Sequence, residues 1–176
     1  GVLAIFLYPV IGGLLALTDN QFGTWAGIAV HETAHQWWYA AVGNDQAHEP
    51  WLDEAFCTFM ESLYYENISI SDLEWWEVYR LTNNPSVVAV DSPVYDFSFF
   101  RPYRDAVYLR GAGFLLELRA AMGDEKFFAF LQDYFHRASE VSISSAEVFF
   151  ATLSNYYEIN QSNLLDRFFL PTQPVY

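Results

Sequence analysis

The sequence predicts a mainly α-helical single domain, an α+β fold only through strands near its start. Three observations carry this reading. Long stretches of helical composition end at helix stop signals, as at Gly43-Asn44-Asp45 and at Gly123. Hydrophobic residues make up 53% of the 176 residues and aromatics 19%, enough for one sizeable core and far too apolar for a disordered chain. No repeat, low-complexity tract or flexible linker divides the chain.

Residues 1–17, GVLAIFLYPVIGGLLAL, carry no charge. Pro9 and Gly12-Gly13 interrupt them, which reads as two short buried strands joined by a turn, so that 1–20 form a strand-like segment. The alternative is a membrane span, with an extracytoplasmic or membrane-anchored setting for the full-length protein. A basic leader and a small-residue cleavage site are missing from this run. Because the chain opens at Gly1 on apolar sequence, it reads as a piece of something longer.

A helix is expected over Thr24–Val42, and a second from Pro50, favourable in a first turn, to about Tyr65. These two form a helix pair over 24–65. A third helix is expected over Asp72–Arg80. Residues 81–103, punctuated by Pro85, Pro93 and Pro102, read as an irregular segment able to line a cleft. A helical subdomain then fills 104–170: Arg104–Met122, a helix capped by Asp124 and running to about Ala138, one opened by the capping box Ser144-Ser145-Ala146-Glu147 and running to about Tyr157, and a last one over Ser162–Leu170.

Eight Lys and Arg against 22 Asp and Glu give a formal charge of −14, which repels phosphate backbones and argues against a nucleic-acid partner. The single cysteine, Cys57, excludes an internal disulfide and a multi-thiolate zinc site, and reads as a small buried side chain. His48 and His136 have no partner at ligand spacing and read as ordinary loop and helix residues.

His31 and His35 are the exception. Four residues apart on a helix, their side chains sit roughly 40° apart around the axis and one turn along it, so both imidazoles can reach one metal ion. Such a pair suits Zn²⁺, and Glu32 between them projects to the flank, where a carboxylate can act as a base without ligating. A third ligand is required. Glu54 follows His35 after 18 residues, enough to end one helix, turn, and bring a carboxylate back on an antiparallel neighbour. A His₂Glu set leaves a fourth position open for water. A carboxylate at a helix start is also favourable beside the helix dipole, a role that Glu49 or Asp53 fills equally well.

At this point the sequence resembles the gluzincin zinc aminopeptidases, the thermolysin-like relatives of aminopeptidase N and leukotriene hydrolase, whose signature is HExxH, 18 residues, then Glu. HETAHQWW at 31–38 is similar to the family's HExxHQWx, and EPWLDEAF at 49–56 to its xxWLNEGF, with Asp53 and Ala55 as departures. Val107-Tyr108-Leu109-Arg110-Gly111 is similar to its VYxKG, with Arg110 in place of Lys. The match covers roughly Gly27–Leu118. The family's GxMEN segment, whose Glu binds the substrate's free amino terminus, is missing, and Leu7 of Phe6-Leu7-Tyr8-Pro9 stands at the nearest position. The family's N-terminal β-domain is also absent from this chain.

The resemblance implies a thermolysin-like catalytic domain holding one Zn²⁺ per chain through His31, His35 and Glu54. It further implies that Glu32 is the general base and Tyr108 the oxyanion donor in hydrolysis of a peptide or protein substrate. Core packing is the alternative for Tyr108 in so aromatic a chain. Glu61, two helical turns after Glu54, stands where it can accept the free ring N–H of a ligating histidine, with helix-surface charge as the alternative. Two further readings are a binding module that keeps zinc without catalysis, against which Glu32 argues, and a zinc hydrolase acting on a non-peptide bond.

Overall fold

The computed structural model describes residues 19–68, 70–141, 143–158 and 163–170, with side chains from Trp25 onward. The apolar segment 1–17, with its two expected strands and Leu7, lies outside the described residues. Helices dominate: α1 (Asp19–Ala34), α2 (Trp51–Ile68), α3 (Ile70–Trp76), α4 (Phe100–Tyr103), α5 (Gly111–Met122), α6 (Asp124–Ser139), α7 (Ala146–Leu153) and α8 (Leu164–Phe168). Two π-helical stretches, Glu77–Thr82 after α3 and Arg104–Arg110 between α4 and α5, continue those rods. Among the described residues only two isolated bridges are β-like, Trp38 with Val42 and Asn44 with Ser144. The fold is mainly α, as expected, and no described helix is long and apolar enough to cross a membrane.

The helix pair is antiparallel. Gly27 packs against Tyr65, His31 meets Glu61 and His35 meets Cys57, so the chain runs down one helix as it runs up the other. Tight turns hold the loop between them. Asn44 donates to the Glu49 carbonyl at 2.9 Å and to Asp53 at 3.3 Å, and Gln46 donates to the other Asp53 oxygen at 2.7 Å. Both oxygens of Asp53, one of the two departures in WLDEAF, are thus occupied in fixing the loop one residue before Glu54.

Beneath the pair lies an aromatic core. Trp51, Phe56, Phe59, Phe114, Phe127, Phe130, Tyr134 and Phe149 are all fully buried, each worth roughly 1.5–3 kcal/mol of apolar burial. Their rings meet mainly edge to face, as Trp51 does on Phe149 at 5.0 Å. At Gly111 a Cβ would approach the Ala55 Cβ to 2.5 Å, so α5 crosses α2 at a contact that only glycine permits. That crossing sets Tyr108, three residues earlier, over the helix pair.

Several expected boundaries move. The first helix ends at Ala34 rather than Val42: the His35 carbonyl accepts from Ala40 N at 2.9 Å instead of from Tyr39 N, Val42 N bonds Trp37 O at 3.0 Å, and the Trp38 carbonyl faces His35 Nδ1 at 3.2 Å. Tyr39 takes a positive φ of 126° in the turn that follows. The 31–35 turn survives, since His35 N still bonds His31 O at 3.3 Å. The third helix begins at Ile70 and continues as π-helix to Thr82, and the fourth stretch begins at Phe100, with Pro102 in a first turn whose N–H groups have no helical acceptor anyway. Asp124 is the first residue of α6 rather than its cap, and it pairs with Arg119 at 2.8 Å. The capping box does not form either. Ser144 Oγ faces Tyr134 OH at 3.2 Å, and the Ala146 N–H is satisfied by Glu49 Oε1 at 3.0 Å. The helix that follows stops at Leu153, and the last spans only Leu164–Phe168.

Candidate metal centre

His31 closes the last full turn of α1 and is buried, and His35 lies one turn on, half-buried, at the start of the non-helical turn. Their rings stand 5.0 Å apart at 78°. From the first turn of α2, Glu54 reaches between them, with Oε2 3.0 Å from His31 Nε2 and 3.5 Å from His35 Nε2. Neighbouring ligand atoms around tetrahedral zinc, at bond lengths near 2.0–2.1 Å, are separated by about 3.3 Å. The two Glu54 contacts bracket that separation, so Glu54 stands from each histidine nitrogen as one zinc ligand stands from another, and the donor types suit that metal.

The far side of each ring is fixed as well. His31 Nδ1 lies 3.1 Å from Glu61 Oε1, and His35 Nδ1 3.2 Å from the Trp38 carbonyl. Both Nδ1 atoms thus face an acceptor, and both Nε2 atoms lie on the side where Glu54 sits. The Glu61 contact is the one expected from its spacing, and its carboxylate is buried rather than on the helix surface.

Another grouping competes. The ligand atoms of His31, His35 and Cys57 lie within 4.8 Å of one another. Cys57 Sγ, however, faces His35 Nδ1 at 3.2 Å, the nitrogen engaged by the Trp38 carbonyl. Complete burial, then the nearby Asp53, Glu54, Glu32 and Glu61 charges, push its thiol far above the ordinary range. Since the thiolate is the ligating form, a metal at Cys57 would have to offset that cost, whereas Glu54 is already ionised.

Charge follows this geometry. Burial alone would raise the Glu54 carboxyl, but hydrogen bonds from His31 and His35 outweigh it and hold the group down at about 2. Burial likewise opposes protonation of His31, yet the Glu54 and Glu61 contacts raise it to about 9, and His35 is raised for the same kind of reason. Glu32 is half-buried on α1 and makes no side-chain hydrogen bond or ion pair among the described residues, which leaves its carboxylate uncommitted.

Tyr108 comes from the π-helical stretch before Gly111. Its ring stacks on His31 at 5.7 Å and 6°, and its hydroxyl bonds Glu54. Burial first, then the Glu54 charge, raise the phenol well above its usual range, so it stays protonated as a donor. Tyr103 stands against it at 5.5 Å. His48, by contrast, is an exposed partner of Asp45 at 2.9 Å, and His136 lies exposed on α6.

Residues 15–168 match the model of the peptidase family M1 domain. The chain belongs to peptidase family M1. Among curated proteins, this M1 chain is 27% identical over 133 residues to aminopeptidase N of Streptomyces lividans, covering 69% of the chain and 15% of that protein. Shorter stretches are similar to UPF0324 membrane proteins, 49% identical over 45 residues in Vibrio vulnificus and 58% over 31 residues in Porphyromonas gingivalis. These cover 26% and 18% of the chain, and 14% and 9% of those proteins. The chain therefore spans about a seventh or less of the length of each of these relatives. No solved structure matches it.

Three groups near the histidines of this M1 chain have no signal in the sequence: the Trp38 carbonyl, a backbone atom, and Trp76 and Arg80, which bond Glu61 at 2.8 and 2.9 Å from a helical stretch with no motif of its own.

Proposed function

We propose that this chain is the zinc-binding catalytic core of a metallopeptidase that hydrolyses peptide bonds, with His31, His35 and Glu54 holding one zinc ion. The observation that carries the reading is the convergence of Glu54 on both Nε2 atoms while both Nδ1 atoms are held from behind. When bound, zinc supplies a Lewis acid that polarises the scissile carbonyl and makes a water acidic. Glu32, without a side-chain partner among the described residues, takes the proton of the attacking water and delivers it to the leaving amine. Tyr108 donates its O–H to the oxyanion of the tetrahedral intermediate. The test is metal content together with hydrolysis of a mixed peptide library: stoichiometric zinc and cleavage are expected, and a chain that takes up zinc but cleaves nothing would favour a non-catalytic binding module.

Tyr108→Phe should lower kcat by roughly 10²–10³, the size of losing one oxyanion donor, with little change in metal content. Tyr103→Phe is the control, since its ring touches Tyr108 at 5.5 Å. Loss in the Tyr103 variant with an unaffected Tyr108 variant would reassign the donor.

Metal uptake should release protons. His31 in the metal-free protein is charged below about pH 9, whereas its ligating nitrogen must be bare, so binding at pH 7.5 displaces at least one proton and affinity falls as pH falls. Calorimetric binding enthalpies in buffers of different ionisation enthalpy read this number, and identical enthalpies in all of them would contradict it.

Substrate end selection follows from which carboxylates are free. A substrate's α-ammonium beside the metal needs a partner carboxylate, or its desolvation is costly. Glu61, one candidate, already accepts from His31, Trp76 and Arg80 and is 1% exposed. Asp19 opens α1, its side chain outside the described residues. Acetylating the amino terminus of a peptide should therefore leave its cleavage by this chain largely unchanged. Abolished cleavage, with release of single N-terminal residues only from the free peptide, would show amine recognition.

A further inference from the structure

Both oxygens of the Glu61 carboxylate are committed in the interior. It is 1% exposed, and its two oxygens serve three donors from three parts of the chain: Oε1 takes His31 Nδ1 at 3.1 Å and Arg80 Nη2 at 2.9 Å, and Oε2 takes Trp76 Nε1 at 2.8 Å. The helix that carries His31 presses on it a second time, since a Cβ on Gly27 would lie 3.4 Å from Oε2. Such a carboxylate cannot rotate without breaking at least one bond while buried, which is costly.

Trp76 and Arg80 are themselves placed by an irregularity. Trp76 is the last residue of α3, and the π-helical stretch Glu77–Thr82 begins immediately after it. The wider turn carries the backbone from the indole to the guanidinium so that both meet one carboxylate. Asn84 then ties the stretch down, donating to the carbonyls of Tyr79 at 2.9 Å and Arg80 at 3.0 Å. π-Helical turns are uncommon and concentrate at functional sites. Here the turn converges on the histidine that Glu54 faces from the other side.

From this arrangement we infer that Trp76 and Arg80 are positioning residues of the proposed metal centre, acting through Glu61 to fix the orientation of the His31 ring. The inference rests on the metal reading above for its consequence, and on the hydrogen-bond chain for its substance. Arg80 and His31 share the first oxygen of Glu61, and Trp76 locks the second so that the first points at Nδ1. The His31 ring is then held with Nδ1 on Glu61 and Nε2 toward Glu54. A merely structural ion pair between α2 and the π-helical stretch would have no effect on the imidazole.

The experiment compares the full chain with Trp76→Phe, Arg80→Met and Arg80→Lys, each first checked for cooperative thermal unfolding. In the metal-free protein, proton NMR should show the His31 Nδ1 proton as a downfield, slowly exchanging signal, assigned by its loss in His31→Gln. That signal should disappear or exchange freely in Trp76→Phe and Arg80→Met and largely persist in Arg80→Lys. In the same proteins, zinc affinity measured against a competing chelator should fall about 10–100-fold in the first two and recover most of the way in Arg80→Lys. Co²⁺-loaded samples should shift their visible absorption in the same order. Variants that melt earlier yet keep the His31 signal, the affinity and the Co²⁺ spectrum would overturn the inference and leave a structural ion pair. If the parent chain takes up no metal, the functional proposal fails, while the His31 signal still decides whether Trp76 and Arg80 fix that ring.

Discussion

Glu32→Gln should keep the fold and the metal and lose nearly all hydrolysis, with kcat/KM down roughly 10²–10⁴. The amide preserves size and shape but has no basicity, so it cannot accept the proton of the attacking water. The structure makes this substitution unusually clean. Glu32 is half-buried and has no side-chain partner among the described residues, so replacing it breaks no ion pair there and leaves no buried partner unsatisfied. Glu54 and Glu61, by contrast, are tied into the histidine contacts, and changing either disturbs several groups at once. Zinc content, melting temperature and peptide turnover of Glu32→Gln should be read on one preparation. Turnover equal to the parent would show that another group is the base, and parallel loss of metal would show that Glu32 helps to hold it.

The candidate metal site was legible because it is local in sequence and its spacing is dictated by helix geometry. His31, His35 and Glu54 meet as the four-residue and 18-residue separations require, and even Glu61, two turns after Glu54, reaches the ring it was expected to reach. The mainly α fold was legible for a similar reason, since stop signals such as Gly123, at φ 77°, act within a few residues. Less legible was anything settled by tertiary competition for a backbone group. Nothing local in QWWYAAV ends a helix at Ala34, yet the His35 carbonyl accepts from Ala40 N and the Trp38 carbonyl faces His35 Nδ1. Ser144-Ser145-Ala146-Glu147 has the composition of a capping box, yet Glu49, remote in sequence, takes the Ala146 N–H instead. The Trp76 and Arg80 contacts depend on a π-helical turn, for which composition gives no sign.

Removing a ligand should have the largest effect on the metal itself, and it separates the two possible third ligands. Glu54→Ala and His35→Ala should each weaken zinc binding by a factor on the order of 10² or more, since losing a direct ligand costs more than the roughly 10–100-fold typical of an outer-shell partner. Glu54→Ala has a second consequence. His31 is buried, and without Glu54 its Nε2 loses the acceptor 3.0 Å away, so the variant should also be less stable without metal. Cys57→Ala is the decisive companion. Its thiol lies 3.2 Å from His35 Nδ1 and close enough to both histidines to complete an alternative His₂Cys set. Burial and four neighbouring carboxylates nonetheless disfavour the thiolate, the ligating form, so a metal at Cys57 would have to offset that cost. The expected result is that Cys57→Ala retains one zinc per chain at near-parental affinity while the other two variants do not. Zinc held by Glu54→Ala but lost by Cys57→Ala would identify the thiolate as the third ligand and leave Glu54 as a buried counter-charge to the histidines.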